Sequence, residues 1–383
     1  MRILLVGEFS RLHNSLKEGL VALGHEVTLV GSGDDFKNFP VDFSTAARTV
    51  SGSPMLRLAS KICNRIFGYS LESLERGRRF EKLLPKLKGY DVVQLINSDA
   101  IETLPKLEIR LLQRLFSQNG KISLLLCGDD TPVVDELLKN KQRYSVLTPY
   151  FEDPGLESHY HYTLKYKTAA YRKLYEFVSK NASALITSDL DYKLLLDEAG
   201  LNTTLIPNPV NTDKILVEPL SASYPIRIFY GRNKYSSVKK GGKYFEEALE
   251  IVKARFGEKV SIEKVDSLPY TEYIGHLKNA HIVLDQVYAF DQGYNALEAM
   301  ARGKVVFTGA ESEFCEHYEL TEIVAINALP NVESIVSDLS YLIENAEEII
   351  KIGQRARKFV ESEHEYIEIA ERYIQIWSGT VNL

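Results

Sequence analysis

Residues 281–309, HIVLDQVYAFDQGYNALEAMARGKVVFTG, constrain the fold of this chain more than any other stretch. HIVLD and KVVFTG are short β-branched apolar runs, the character of strands buried on both faces of a parallel sheet. Between them, YNALEAMAR is rich in strong helix formers, and Gly303 suits the position just beyond a helix C-terminus. Strand, loop, helix and strand in that order form a βαβ crossover, which requires a parallel sheet covered by helices. Ligands of such sheets sit outside the carboxyl ends of the strands, where the loop around Gly293 falls. Glu298 is then a carboxylate in the first turns of a helix that faces a pocket.

The same rhythm runs along the rest of the chain. RILLVG, a loop EFSRLHN, an apolar helix pattern over 12–23 and HEVTLVG open the N-terminal half. That start is Rossmann-like, yet it lacks the G-x-G-x-x-G of a dinucleotide site, which disfavours an NAD-dependent enzyme. Strands are predicted at 91–96, 121–128 and 183–189, with helices between. LIPNPVNTDK (205–214) breaks the rhythm, because a Pro-Asn-Pro core continues neither a helix nor a central strand. A second series follows: IRIFYGR, a helix over 242–255, KVSIEKV, a helix over 271–278, the 281–309 unit, and EIVAIN. The 366–377 segment, YIEIAERYIQIW, has amphipathic helix spacing. The domains are thus predicted at 1–205 and 206–363, with 364–383 as a closing helix.

Composition narrows the function. With 383 residues, 45% hydrophobic and 26% charged, the chain builds sizeable cores. A net charge of −6 argues against nucleic acid as the main partner. Three dispersed cysteines fit a reduced cytoplasm and form neither a disulfide framework nor a cysteine-based metal site. No apolar run approaches the roughly 20 residues of a membrane-spanning helix.

Candidate chemistry concentrates in the second series. RIFYGRNKYSSVKKGGK places Arg232 just past a strand and Lys239 and Lys240 at the glycine-led start of a helix. A guanidinium fork, an ammonium and free helix N–H groups together suit a diphosphate without a metal ion. A solvated basic loop is the plainer reading of the same residues. With a second helix start at Gly293 and Glu298 beyond it, a ligand carrying both phosphates and hydroxyls is indicated. A nucleotide sugar has both.

GYNALEAMARGKVV resembles the G-x-x-x-x-E-A-M-A-x-G-x-P-V signature of the family 4 glycosyltransferases. GR followed by KG, the PNPVN linker, LPYTEYIGHLKNAHIVLD and GLVALGHEVTLV follow that family's order. The resemblance implies an α/β GT-B fold: two Rossmann-like doubly wound domains facing an interdomain cleft, with a C-terminal helix crossing back to the first domain. It implies a retaining, hexosyltransferase-type enzyme that uses a UDP- or GDP-sugar donor and a carbohydrate or lipid-linked glycan acceptor, with no metal or other cofactor. Carried over by residue, Arg232 and Lys240 neutralise the donor diphosphate. Glu298 binds the ribose hydroxyls, and Gly293 with its neighbours Tyr294 and Asn295 brings backbone N–H groups to the donor. Pro269 and Tyr270 fall where the nucleobase rests.

One position departs from the family. Its first glutamate, eight residues before the second, is Phe290 here. Asp285 and Gln286, with Asp291 second, are the candidates to reach the donor sugar instead. On the acceptor side, His13 in the first loop and the Tyr-, Lys- and His-rich segment 157–175 are the candidates. CGDD (127–130) reads as a helix cap before a metal site. MLRLASKICNRIF (55–67) carries Arg57, Lys61 and Arg65 beside Leu56, Ile62, Ile66 and Phe67. It reads as an ordinary domain helix, with a peripheral contact at the inner face of a membrane as the other reading. The rival functions are a nucleotide-sugar epimerase on the same architecture and a non-catalytic nucleotide-sugar-binding protein.

Overall fold

The computed structural model describes residues 1–34, 37–221, 223–232 and 236–379. The first sheet contains β1 (Arg2–Val6), β2 (Glu26–Gly31), β3 (Phe43–Ser44), β4 (Val92–Leu95), β5 (Lys121–Leu126), β6 (Ala184–Thr187) and β7 (Thr204–Leu205). Their spatial order is β3-β2-β1-β4-β5-β6-β7. The second sheet contains β8 (Ile226–Arg232), β9 (Val260–Asp266), β10 (Ile282–Leu284), β11 (Val305–Thr308) and β12 (Ile326–Asn327), in the order β12-β11-β10-β8-β9. Every neighbouring pair is parallel.

Apolar character on both strand faces explains the layering. Along β8, Ile226, Ile228 and Tyr230 enter the core on one side of the sheet while Phe229 enters the core on the other. In β10 and β11, Ile282, Leu284, Val305 and Phe307 likewise oppose Val283 and Val306. Helices must cover both faces, and the βαβ connections supply them. The two-residue strands β3 and β7 were not expected from the sequence. Each is too short to carry an alternation, and only pairing with an edge defines it.

In the first sheet the strand order reverses between β1 and β4, and in the second between β8 and β10. Crevices outside the carboxyl ends open at such switch points. Here the two switch points face one another.

The chain leaves the first sheet after Leu205 and enters the second at Ile226. It returns through the helix Tyr366–Ser378, which packs on the helix Leu12–Ala22. Tyr373 and Trp377 bury in the first sheet's core, and the Trp377 indole N–H donates to Gln94 Oε1 at 3.2 Å. The two crossings touch. Val210 N–H donates to the His364 carbonyl at 2.7 Å, and His364 Nδ1 donates to the Asn208 carbonyl at 2.8 Å. Among the described residues, no helix is long and apolar enough to cross a membrane.

Candidate functional site

A cavity of about 480 Å³ separates the two sheets at their switch points. Phe9 and Ser10 after β1, Asn97 after β4 and Asp129 after β5 line its first wall. Lys240, Gln286, Gly293, Tyr294 and Asn295 line the other. A second cavity of about 570 Å³ shares Asp129, Asp189, Tyr192, Gln286 and Gly293 with the first, and continues between Tyr144, Tyr288 and Phe290.

Gly293 caps the helix Tyr294–Ala301 with extended backbone. A Cβ there would find only Gln286 Nε2, at 3.8 Å. The first-turn N–H groups of this helix, unpaired by helix geometry, stand at the cavity wall. Gly242, the other expected helix start, differs. A Cβ there would overlap Ser237 Oγ and lie 2.6 Å from the Tyr230 hydroxyl oxygen. That start is packed against its own loop, so one of the two expected anion-friendly termini opens on the cleft.

The KKGG segment places its two lysines differently. Gly241 has a φ of 70°, and a Cβ there would overlap the Val287 side chain. Only glycine fits both constraints, and its fit lets Val287 N–H donate to the Lys240 carbonyl at 3.1 Å. Lys240 Nζ consequently reaches Asp285 Oδ1 at 2.6 Å, at the end of β10. Lys239 points across the cleft to Asp129, 3.0 Å away, and to the Thr163 hydroxyl.

Arg232 ends β8 but lines neither cavity. Its Nε and Nη2 donate to Asp266 at 2.7 Å each, and Nη1 donates to Glu246 at 2.6 Å. Those two carboxylates raise the guanidinium pKa further above its ordinary range. To meet a diphosphate, Arg232 must exchange them for phosphate oxygens.

Glu298 is 3% exposed and accepts from the Tyr270 hydroxyl and, at 3.4 Å, from Arg302 Nη2. Tyr294, Glu298 and Arg302 are four residues apart, so they share one helix face. The first domain covers that face: Ser15 bonds the Tyr294 hydroxyl, and Arg11 Nη1 donates to the Tyr270 hydroxyl at 3.1 Å. Phe39 packs on the Tyr270 ring at 5.2 Å between centroids. Burial, the Glu298 charge and the bond to Glu298 all raise the Tyr270 phenol pKa. Pro269 caps the helix Tyr270–Lys278 and is exposed.

Two expectations are corrected by placement, those for Asp291 and His13. Asp291 does not reach the cavity. It is 2% exposed, accepts Leu190 N–H at 3.0 Å and Gln292 N–H at 2.6 Å, and is pushed by burial up to about 6. Asp191 returns the bond, accepting Phe290 N–H at 2.8 Å. The pair is a clamp between the domains. His13 is fully buried, its Nδ1 donating to the Gly7 carbonyl at 2.7 Å, and burial lowers it to about 4. It precedes Leu16 and Leu20 by three and seven residues, the spacing of one buried helix face. Of the aspartates in CGDD, Asp130 caps the helix Thr131–Leu137, whereas Asp129 faces the cleft. Among the described residues, no group of three or more His, Cys, Asp or Glu is arranged to hold a metal ion.

Phe290, where a glutamate was expected, is 9% exposed. It lies under the Arg143 guanidinium at 4.8 Å and against Tyr144 at 5.5 Å. Within 157–175, Tyr162 and Tyr166 line the cleft, and Lys165 pairs with Asp99 at 2.7 Å. The sequence did not single out Arg11, Phe39 or Ser15, which carry no motif and matter through the domain opposite. Arg11 has one local signal, a polar residue entering a helix in a loop after β1.

Comparison with known proteins agrees with this fold. A family profile described as glycosyl transferase-like matches residues 216–375. No curated protein sequence matches the chain. Sucrose-phosphate synthase from Thermosynechococcus elongatus superposes with a TM-score of 0.61 at 15% identity, covering 99% of both chains. Anabaena HepE, solved in complex with UDP and glucose, gives 0.60 at 12% identity, covering 99% of both chains. A Listeria monocytogenes protein provisionally assigned as a UDP-N-acetylglucosamine 2-epimerase gives 0.52 at 11% identity, covering 99% of this chain and 96% of that one. The fold is GT-B, and the part of it from 216 to 375 is similar to a glycosyl transferase-like family profile.

Proposed function

We propose that the protein is a glycosyltransferase that moves a sugar from a nucleotide donor to a glycan or lipid-linked acceptor, in the cytoplasm, with retention and without a metal ion. One observation carries the reading: the helix start at Gly293 and the Lys240 ammonium share a cavity wall opposite the loops of the first sheet. Amide hydrogens and a cation suit a diphosphate, and the facing loops leave space for an acceptor. Lys240 then exchanges Asp285 for phosphate, and Arg232 adds its fork after leaving Asp266 and Glu246. Glu298 clasps the ribose once Tyr270 and Arg11 give way, so donor entry requires the domains to part. Gln286 and Asp285 contact the sugar. The UDP seen on HepE makes a UDP-sugar the first donor to try.

In the reaction, the bond between the anomeric carbon and the diphosphate oxygen breaks as the acceptor oxygen bonds to the same face of that carbon. The acceptor proton passes to the leaving phosphate oxygen, and no protein nucleophile is needed. Negative charge grows on the diphosphate, where Lys240 and the helix amides stabilise it; single preorganised donors of this kind contribute about 3 kcal/mol.

Thermal denaturation with UDP-, GDP-, ADP- and CMP-linked sugars tests the donor site. The correct donor at 100 times its Kd should stabilise the protein by about 2.7 kcal/mol. No response to any of the four refutes the reading. The likeness to the Listeria protein favours an epimerase as the second reading. It predicts turnover of a pure nucleotide sugar with no acceptor, the sugar emerging with one inverted carbon and the nucleotide still attached.

A further inference from the structure

The helix Pro54–Phe67 turns an apolar stripe outward. Met55, Leu58, Ile62 and Ile66 are 75%, 61%, 50% and 64% exposed. At 100° per residue they fall within about 80° of one another. Arg57, Lys61 and Arg65, all exposed, occupy the adjoining arc, and the helix holds no Asp or Glu. Its packed side is a different one: Ser60 is buried and bonds Leu71 N–H at 2.8 Å and the Glu72 carboxylate, while Leu56 and Cys63 are half-buried. The side chain of Phe67 lies outside the described residues.

An ordinary surface helix turns its apolar stripe to the core. Among the described residues the other large exposed hydrophobic side chains are dispersed, at most two in sequence, and none forms a helical stripe of four. The charge is as unusual as the exposure. The chain carries −6 overall, yet this helix bears three cations and no anion. We propose that it is a docking surface for an anionic lipid bilayer, lying in the interface with Met55, Leu58, Ile62 and Ile66 among the acyl chains and its cations at the headgroups. Stripe and cationic arc adjoin along the same helix, the arrangement of an in-plane interfacial helix. At 14 residues it is too short to span a bilayer. The docking helix also connects to the cleft. It packs on the helix Leu71–Leu83, whose Arg76 pairs with Glu102 of the cavity wall at 3.1 Å. Docking there brings the cleft close to the lipid surface, which suits a membrane-resident acceptor.

Flotation of the full chain with vesicles of phosphatidylcholine, alone or with one-third phosphatidylglycerol, tests the proposal. Binding should require the anionic lipid and weaken as salt rises. Ile62→Asp with Leu58→Asp, and separately Arg57, Lys61 and Arg65→Gln, should each lower binding about tenfold or more while the melting temperature holds. Unchanged flotation by either variant, or equal binding to neutral vesicles, overturns the proposal. So does a concentration-dependent dimer that Ile62→Asp dissociates with no vesicle binding by the parent, since the stripe then meets a second copy. None of these readouts uses sugar transfer, so they stand apart from the proposed activity.

Discussion

At the scale of single residues, the proposed chemistry rests on groups that already have partners. Glu298 holds Tyr270 and Arg302, and Lys240 holds Asp285. A group that must exchange one partner for a ligand contributes only the difference, so the loss on removal is moderate. Glu298→Ala should weaken donor binding about tenfold to a hundredfold, as expected for a lost hydrogen bond to a charged group. Calorimetric titration checks it, and parental affinity refutes the role of Glu298. Gly293→Val tests the wall from the other side. Its Cβ meets only Gln286 Nε2 at 3.8 Å, so the added methyls enter the cavity rather than the core. Donor binding should be abolished with the melting temperature within about 2 °C of the parent, a surface-scale effect. A folded Gly293→Val protein that binds donor normally would remove the helix start from the site. Both positions were legible in the sequence, because a glycine before a small-residue helix and a carboxylate one turn inside it form a local pattern. Asp291 and His13 were not. Their types suit a site, but Leu190, 101 residues away, decides where Asp291 points, and burial in the core beside the Gly7 carbonyl decides it for His13.

At the scale of elements, close packing decides what the chain tolerates. The helices Leu12–Ala22 and Tyr366–Ser378 cross at Gly19, where a Cβ would overlap the Tyr366 carbonyl oxygen and lie 2.8 Å from Ala370 Cβ. Gly19→Val should therefore force the closing helix away, at a cost of about 1–3 kcal/mol or more for an overpacked contact. Differential scanning calorimetry and hydrogen exchange at 366–378 check this: loss of protection there is expected, and retained protection refutes it. The amphipathic period made the closing helix legible, along with every strand long enough to show a buried run. Where that helix docks was not contained in its own sequence. The Trp377–Gln94 bond joins residues 283 apart, and the matching groove exists only after the first sheet forms.

At the scale of the molecule, the two halves are clamped by carboxylates. Asp191 accepts N–H bonds from Phe290 and Asp291, and Asp291 accepts from Leu190. Burial pushes Asp191 up to about 7 and Asp291 up to about 6, and each raises or is raised by acidic neighbours including Asp189. Both folded values lie above the ordinary 3.8. The stabilisation they give is fully present below 3.8 and lost as pH rises through about 6 and then 7. The parent should thus open or melt more readily at pH 8 than at pH 5 through this pair. Asp291→Asn keeps a neutral acceptor for Leu190 N–H, so its loss between those pH values should be smaller. Melting curves of both proteins at pH 5 and 8 check it, and identical pH slopes refute it. Because donor entry also needs the seam to part, the same variant should bind donor less readily at pH 8.

The sequence alone determined the parallel α/β layering, the crossover that carries Glu298, the glycine-led lysine loop and the family resemblance. All of these are written in near-neighbour patterns, where strand period, helix propensity and turn chemistry act within about ten residues. Tertiary structure decided which lysine faces the cleft wall, which helix start stays open, and that Arg232 rests on Asp266 and Glu246. It also decided that Arg11 and Phe39 cover Tyr270 from the opposite domain, and that Met55, Leu58, Ile62 and Ile66 face outward. Those outcomes depend on which surfaces meet once both sheets exist, and burial and pairing between residues tens to hundreds apart have no signature in a local window.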